Sequence, residues 1–189
     1  MTDTGAHDRY LDHLKRHLGE LVETWPAGSD GEDRGFDLHE FHLADPGFTT
    51  VITDGLRTAP IKALAPLELA CTLRGDQRHI ARYLVGSMAR MMLRNPDTFV
   101  QYGFVFENSE PFVEGTGMQA VLGAPSMFFR NGFDLIEKDS GGLELQIITL
   151  LPISAGEAAH VGNADEDALF ELFWEHKAPV WDVTRASVI

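Results

Sequence analysis

A chain of 189 residues, 44% hydrophobic and 23% charged, is long enough for one well-formed core and too apolar for wholesale disorder. Fifteen Lys and Arg oppose 29 Asp and Glu, a formal net charge of −14 that repels phosphate backbones and anionic surfaces and so argues against nucleic-acid and membrane partners. No stretch approaches the ~20 apolar residues that span a bilayer. The start MTDTGAHDRY lacks the basic and apolar regions of a secretion signal, and the single cysteine, Cys71, has no partner for an internal disulfide. The expectation is a cytoplasmic single domain over 1–189.

The first predicted element is a helix over 6–25, with Tyr10, Leu11, Leu14, Leu18, Leu21, Val22 and Trp25 at helical spacing. Pro26 and Gly28 end it, and the polar, Gly-rich stretch 27–35 reads as a mobile loop. The core is expected over 36–188. Phe36 to Leu43 and Phe48 to Thr53 read as strands around the turn Ala44-Asp45-Pro46-Gly47. Leu67 to Leu73 has few polar residues and reads as a strand buried on both faces, which also makes Cys71 a small buried residue.

A second long helix follows Gly75-Asp76, with Asp76 as its expected N-cap, and stops near Asn95-Pro96. Ile80, Leu84, Ser87, Met88 and Met91 line one face. Phe99 to Phe106 is strand-like, Asn108 to Gly117 is loop, and Met118 to Leu122 and Ser126 to Phe129 are short apolar runs. Phe133 to Lys138 and Leu143 to Leu151 form an expected hairpin closed by Asp139-Ser140-Gly141-Gly142. Ser154-Ala155-Gly156-Glu157 is a capping box, and Asp165 to His176 is the last helix. The fold class is α+β: a mixed, largely antiparallel sheet of about five to seven strands flanked by helices.

No constellation assembles a catalytic set. Residues three apart on a strand point to opposite faces, so His39 and His42 of His39-Glu40-Phe41-His42 cannot share a metal, and they read as surface or strand-edge histidines. His13 and His17 share a helix face that continues through Glu20 and Thr24, away from the apolar stripe, and read as a solvated polar face. There is no G-x-S-x-G elbow and no P-loop. An apolar strand raises a thiol pKa, so Cys71 is a poor nucleophile. Glu107, Glu110 and Glu114 form an acidic loop, and Asp165, Glu166 and Asp167 open the last helix where they complement its dipole. No catalytic residue, metal or cofactor is expected.

Four stretches in order resemble a known family. Ile52-Thr53-Asp54-Gly55-Leu56-Arg57-Thr58-Ala59-Pro60-Ile61 is similar to a "T-x-G-L-S-x-x-P-M" loop, and Pro66-Leu67-Glu68-Leu69 to an "ELxL" strand. Leu150 to Glu157 with Asp167 to Phe173 is similar to a strand-to-helix step, and Trp181-Asp182-Val183-Thr184-Arg185-Ala186-Ser187 to a closing "Asp-x-x-Arg-x-Ser" segment. The set resembles the suppressor of fused domain over about Phe36 to Val188. Arg57 and Ile61 depart from the serine and methionine of the family's loop, and the strand lacks the usual proline-tryptophan ending. The resemblance implies a mixed sheet with flanking helices and no catalytic centre. It also implies a protein partner: animal relatives hold a transcription factor by adding its peptide as a strand, and many bacterial relatives look like immunity proteins.

The leading expectation is therefore a protein-binding inhibitor of the immunity or antitoxin kind, with Glu107, Glu110, Glu114, Asp165, Glu166 and Asp167 as partner-binding residues and a basic toxin as the candidate partner. The rivals are a metal-dependent or other hydrolase using His39, His42 or the carboxylates near Glu107, and a small-ligand-binding module.

Overall fold

The structure, a computed structural model, describes residues 4–28, 34–129, 132–138 and 140–189, with side chains from His7 onward. Residues 29–33 of the expected loop and Asp139 of the expected hairpin turn lie outside the described residues.

Helix α1 (Thr4–Leu18) is followed by strands β1 (Glu20–Trp25), β2 (Asp37–Leu43), β3 (Phe48–Asp54) and β4 (Leu67–Arg74), helix α2 (Arg78–Arg94), strands β5 (Val105–Glu107), β6 (Met118–Ala124), β7 (Leu135–Glu137) and β8 (Leu143–Ser154), and helices α3 (Ala155–Asn163) and α4 (Glu166–Glu175). The strands form one eight-stranded sheet in the order β1-β2-β3-β4-β8-β6-β5. β8 is its axis. Its Gln146 pairs with Leu67 of β4 on one side and Leu135 of β7 on the other, and further along Thr149 has Ala124 of β6 on the β7 side. The β4–β8 pair is parallel and the others are antiparallel, which agrees with the mixed α+β class.

Both faces are covered, so β4 and most of β8 are buried at successive positions rather than at alternate ones. α2 lays Ile80, Leu84, Val85, Met88 and Met92 over Val51, Leu69, Cys71, Leu73 and Ile148. On the opposite face α1 buries Tyr10, Leu14 and Leu18 against Phe41, Ile52 and Ile147. Beside it, α3 and α4 bury Val161, Leu169 and Phe173 against Leu122, Leu151 and Ile153.

Three expected elements differ. The helix over 6–25 is two elements: Gly19 at φ 85° ends α1, and a Cβ there would lie 2.7 Å from the His42 carbonyl oxygen. Beyond it Leu21 to Trp25 pair with β2, so Leu21 and Val22 stand exposed on an edge strand instead of extending the apolar stripe. This strand raises the count above the expected range. Asp76 caps nothing; it sits in a 3-10 turn (Gly75–Gln77) and pairs with Arg74, while α2 starts at Arg78. The strand expected from Phe99 is confined to Val105–Glu107, because Gly103 turns the chain at φ 81° and Val100 bridges to Ala63 instead. The capping box of α3 forms as expected, and Asp165, expected inside α4, is its N-cap and accepts from the Ala168 amide.

Candidate functional site

The interior of this acidic protein holds two carboxylates with no solvent exposure, Glu68 and Glu157. Each is met by an arginine and by backbone donors.

Glu68 lies on β4, beside the turn that leaves β3. Its Oε1 accepts from the Gly55 amide (2.9 Å), the Arg57 amide (3.3 Å) and Arg57 Nη1 (2.6 Å). Its Oε2 accepts from the Thr53 hydroxyl (2.6 Å) and the Leu56 amide (3.2 Å). The turn wraps the carboxylate because Gly55 sits at φ 136° with Phe36 and the Gly35 carbonyl about a Cβ contact away, a position closed to other residues. Arg57 Nη1 also bonds Asp54 Oδ1 at 2.6 Å, and the guanidinium lies 4.6 Å over the Tyr10 ring. Complete burial pushes the Glu68 carboxyl up, against the pull of Arg57 and Thr53. Burial would raise Asp54 too, but the His39 hydrogen bond and the Arg57 guanidinium outweigh it and hold that carboxyl below its ordinary value.

His39 continues the row. In its neutral form the Nε2–H donates to Asp54 Oδ2 at 3.0 Å, and Nδ1 accepts from the Thr24 hydroxyl at 2.9 Å. His39 is therefore a buried, doubly bonded residue, and the surface reading is corrected. β2 is an inner strand, and its α1-side face is roofed by a helix. His42 points away and stays exposed. His13 is likewise buried, bonding the Phe133 carbonyl at 2.9 Å beneath the β7 hairpin, which overturns the solvated-face reading for it. The expected continuation of that face through Glu20 and Thr24 fails because α1 ends at Leu18.

Glu157 lies on α3 and clasps the C-terminal segment. Arg185 donates to both its oxygens, Nη1 to Oε1 at 2.6 Å and Nη2 to Oε2 at 2.8 Å, a bidentate pair. The Ser154 and Val188 amides supply two more donors, and the Arg185 guanidinium lies 4.8 Å from the Phe173 ring centre. Burial alone would raise the Glu157 carboxyl, but Arg185 outweighs it and holds it below its ordinary value. Nearby, Asp182 accepts from Gln77 (2.7 Å) and Arg74 (2.6 Å), tying the same segment to the end of β4 and the start of α2. Despite burial, hydrogen bonds from Thr184 and Gln77 and the charge of Arg74 bring Asp182 down to about 2.

The expected partner-binding acids lie elsewhere. Glu107 ends β5, and Glu110 and Glu114 follow it in an exposed loop. Asp165, Glu166 and Asp167 open α4, and the Glu166 carboxylate reaches within 2.8 Å of where a Cβ on Gly103 would stand, just before β5. Glu166 thus lies beside the segment leading into β5, and the Glu107 set lies at the far end of that strand and in the loop beyond it. Among the described residues none of the six forms an ion pair. Cys71 is buried and its thiol is pushed up to about 12 by that burial. No group of three or more His, Cys, Asp or Glu among the described residues is arranged to hold a metal ion. No described helix is long and apolar enough to cross a membrane.

The four stretches noticed in the sequence meet in pairs. The loop at Thr53–Arg57 and the strand at Glu68 form the first cluster; the step at Ser154–Glu157 and the closing Arg185 form the second. One sheet with helices on both faces, closed by these two buried clusters, defines a suppressor-of-fused-type domain. A family model described as Suppressor of fused protein (SUFU) matches residues 32–186, and the chain belongs to that family. Among solved structures it is similar to a SUFU homolog from Neisseria gonorrhoeae, at 18% identity and a TM-score of 0.72 over 98% of each chain. It is also similar to a chain of the Sufu–Fu complex, at 10% identity and a TM-score of 0.69 over 96% of this chain and 91% of that one. Drosophila Suppressor of Fused gives 12% identity and a TM-score of 0.68 over 95% of this chain and 50% of that one. At these identities the likeness is one of fold. No curated protein sequence matches.

Proposed function

We propose that the chain is a non-catalytic protein-binding domain that docks a basic protein through its acidic β5 margin and acts as an inhibitor of the immunity or antitoxin kind. The observation that carries this reading is the set of Glu107, Glu110, Glu114, Asp165, Glu166 and Asp167. These acids lie on either side of β5, and none has a cation opposite it among the described residues. Charge left unneutralised on a surface contributes little to the fold, but it accelerates encounter with an oppositely charged partner. A relative solved as the Sufu–Fu complex supports protein binding as the mode.

The test is affinity capture from extract of the source cells, comparing the chain with a variant carrying Glu107→Gln, Glu110→Gln, Glu114→Gln and Asp167→Asn. A basic protein retained at low salt, released as the Debye length shrinks below about 8 Å, and not retained by the variant is the expected result. Equal capture by the variant, or no protein partner at any salt, contradicts it. Co-expression of the captured protein then tests inhibition: cells are expected to grow only when the chain is present.

One observation favours a second reading, a hydrolase. Thr24, His39 and Asp54 stand in hydroxyl–imidazole–carboxylate order. Turnover of an activated ester by the purified chain, abolished by Thr24→Val, would support it. No turnover above buffer is the expected result.

A further inference from the structure

A groove of about 460 Å³ opens at the opposite edge of the sheet, between β1–β2 and the first turn of α2. Its floor is Glu40, whose side chain is only 6% exposed. Glu40 accepts no hydrogen bond from any described residue, and its nearest cation, Arg78 Nη1, stands 3.9 Å from Oε1, outside hydrogen-bond range. Unlike Glu68 and Glu157, whose oxygens are filled by protein donors, Glu40 leaves its oxygens open to whatever enters the groove. Glu23 lies directly across from it on β1, so two carboxylates face the groove side by side.

The adjoining wall is basic, and its Arg78 meets Glu40 only at the long 3.9 Å ion-pair separation. Arg78 is largely exposed, and Arg82 stacks 4.7 Å over Trp25; neither has a hydrogen-bonded acceptor among the described residues. Arg78 opens a 17-residue helix that lacks a side-chain N-cap and Arg82 follows one turn later, at the positive end of the helix dipole. Asp76, on the same rim, is already held by Arg74. The other titratable groups here are His79 of α2, which also lines the groove, and His42 on the strand beneath.

We infer that this groove is a binding site for a small zwitterion, with an ammonium or guanidinium seated on Glu40 and Glu23 and a carboxylate held by Arg78, Arg82 and the first amides of α2. A ligand of one sign satisfies only one wall and is repelled by the other, whereas a zwitterion satisfies both. Its volume falls within the ordinary range for small-ligand sites. The site lies at the edge away from the β5 margin and is independent of the partner docking proposed there.

The probe is L-arginine, titrated into the intact isotope-labelled chain and followed by amide chemical shifts. Agmatine, which lacks the carboxylate, and Nα-acetylcitrulline, which keeps the carboxylate but carries no cation, serve as controls. The expected result is a saturable shift confined to residues of β1, β2 and 75–82, weakened about tenfold or more for either control and in Arg78→Gln and Glu40→Gln. Arg78 is exposed, so its variant stays folded even if Glu40→Gln does not. No saturable shift with L-arginine, equal affinity for agmatine, or unchanged binding by Arg78→Gln would overturn the inference and leave Glu40 and Arg78 as an internal pair only.

Discussion

Carboxylates are treated in opposite ways in the protein interior and at the β5 margin of the sheet. Glu68 and Glu157 are wholly buried, and every oxygen is met by donors. Glu107, Glu110, Glu114 and Asp167 are exposed and meet none. Burying a charge is costly unless it is paired and hydrogen-bonded, so the first kind exists to hold parts of the chain in register. The second kind contributes little to folding and is available to something outside the molecule. In a chain of net charge −14, where an acid stands therefore says more about its work than how many acids there are.

The buried pairs give the sharpest tests. Arg185→Met strips the only cation from Glu157, which keeps just the Ser154 and Val188 amides. Denaturant unfolding should show a loss of about 3–5 kcal/mol. Arg57→Met should cost less, about 3 kcal/mol, because Glu68 keeps the Thr53 hydroxyl and three backbone amides. Reversal of that order would break the donor-count argument.

The acid limb of stability should come next. Asp54, Glu157 and Asp182 have depressed folded values, so their stabilisation is present above the ordinary carboxylate range and is lost as pH falls through the folded values. The Asp182 share is lost between about pH 4 and pH 2. Asp134 has the opposite sign: burial lifts it to about 6, so its contribution is present below its ordinary value and lost as pH rises through about 6. Asp134→Asn should therefore raise the thermal midpoint at pH 7 and leave it little changed near pH 4. A midpoint at pH 7 equal to or below that of the parent chain would contradict the assignment.

What the sequence revealed follows the range of each interaction. The Ser154–Glu157 capping box spans three residues and was legible. The Arg185 that completes the Glu157 cluster lies 28 residues on, and only the family's closing segment pointed to it. Strand alternation placed His39 and His42 on opposite faces but could not tell an inner strand from an edge, so the Asp54 and Thr24 bonds of His39 were hidden. β1 was missed because an amphipathic stripe runs unbroken in spacing through Gly19, while the chain does not. The approach of Glu166 to Gly103 joins residues far apart in sequence and left no local signal.

The most direct measurement pairs unfolding with capture on two variants, the four-site neutralisation of the β5 margin and Arg185→Met. The margin variant should unfold within about 0.5 kcal/mol of the parent chain while losing its basic partner, and Arg185→Met should lose stability yet retain that partner wherever it remains folded. A margin variant that keeps the partner, or that unfolds several kcal/mol earlier, would contradict the division between acids that build the fold and acids that bind.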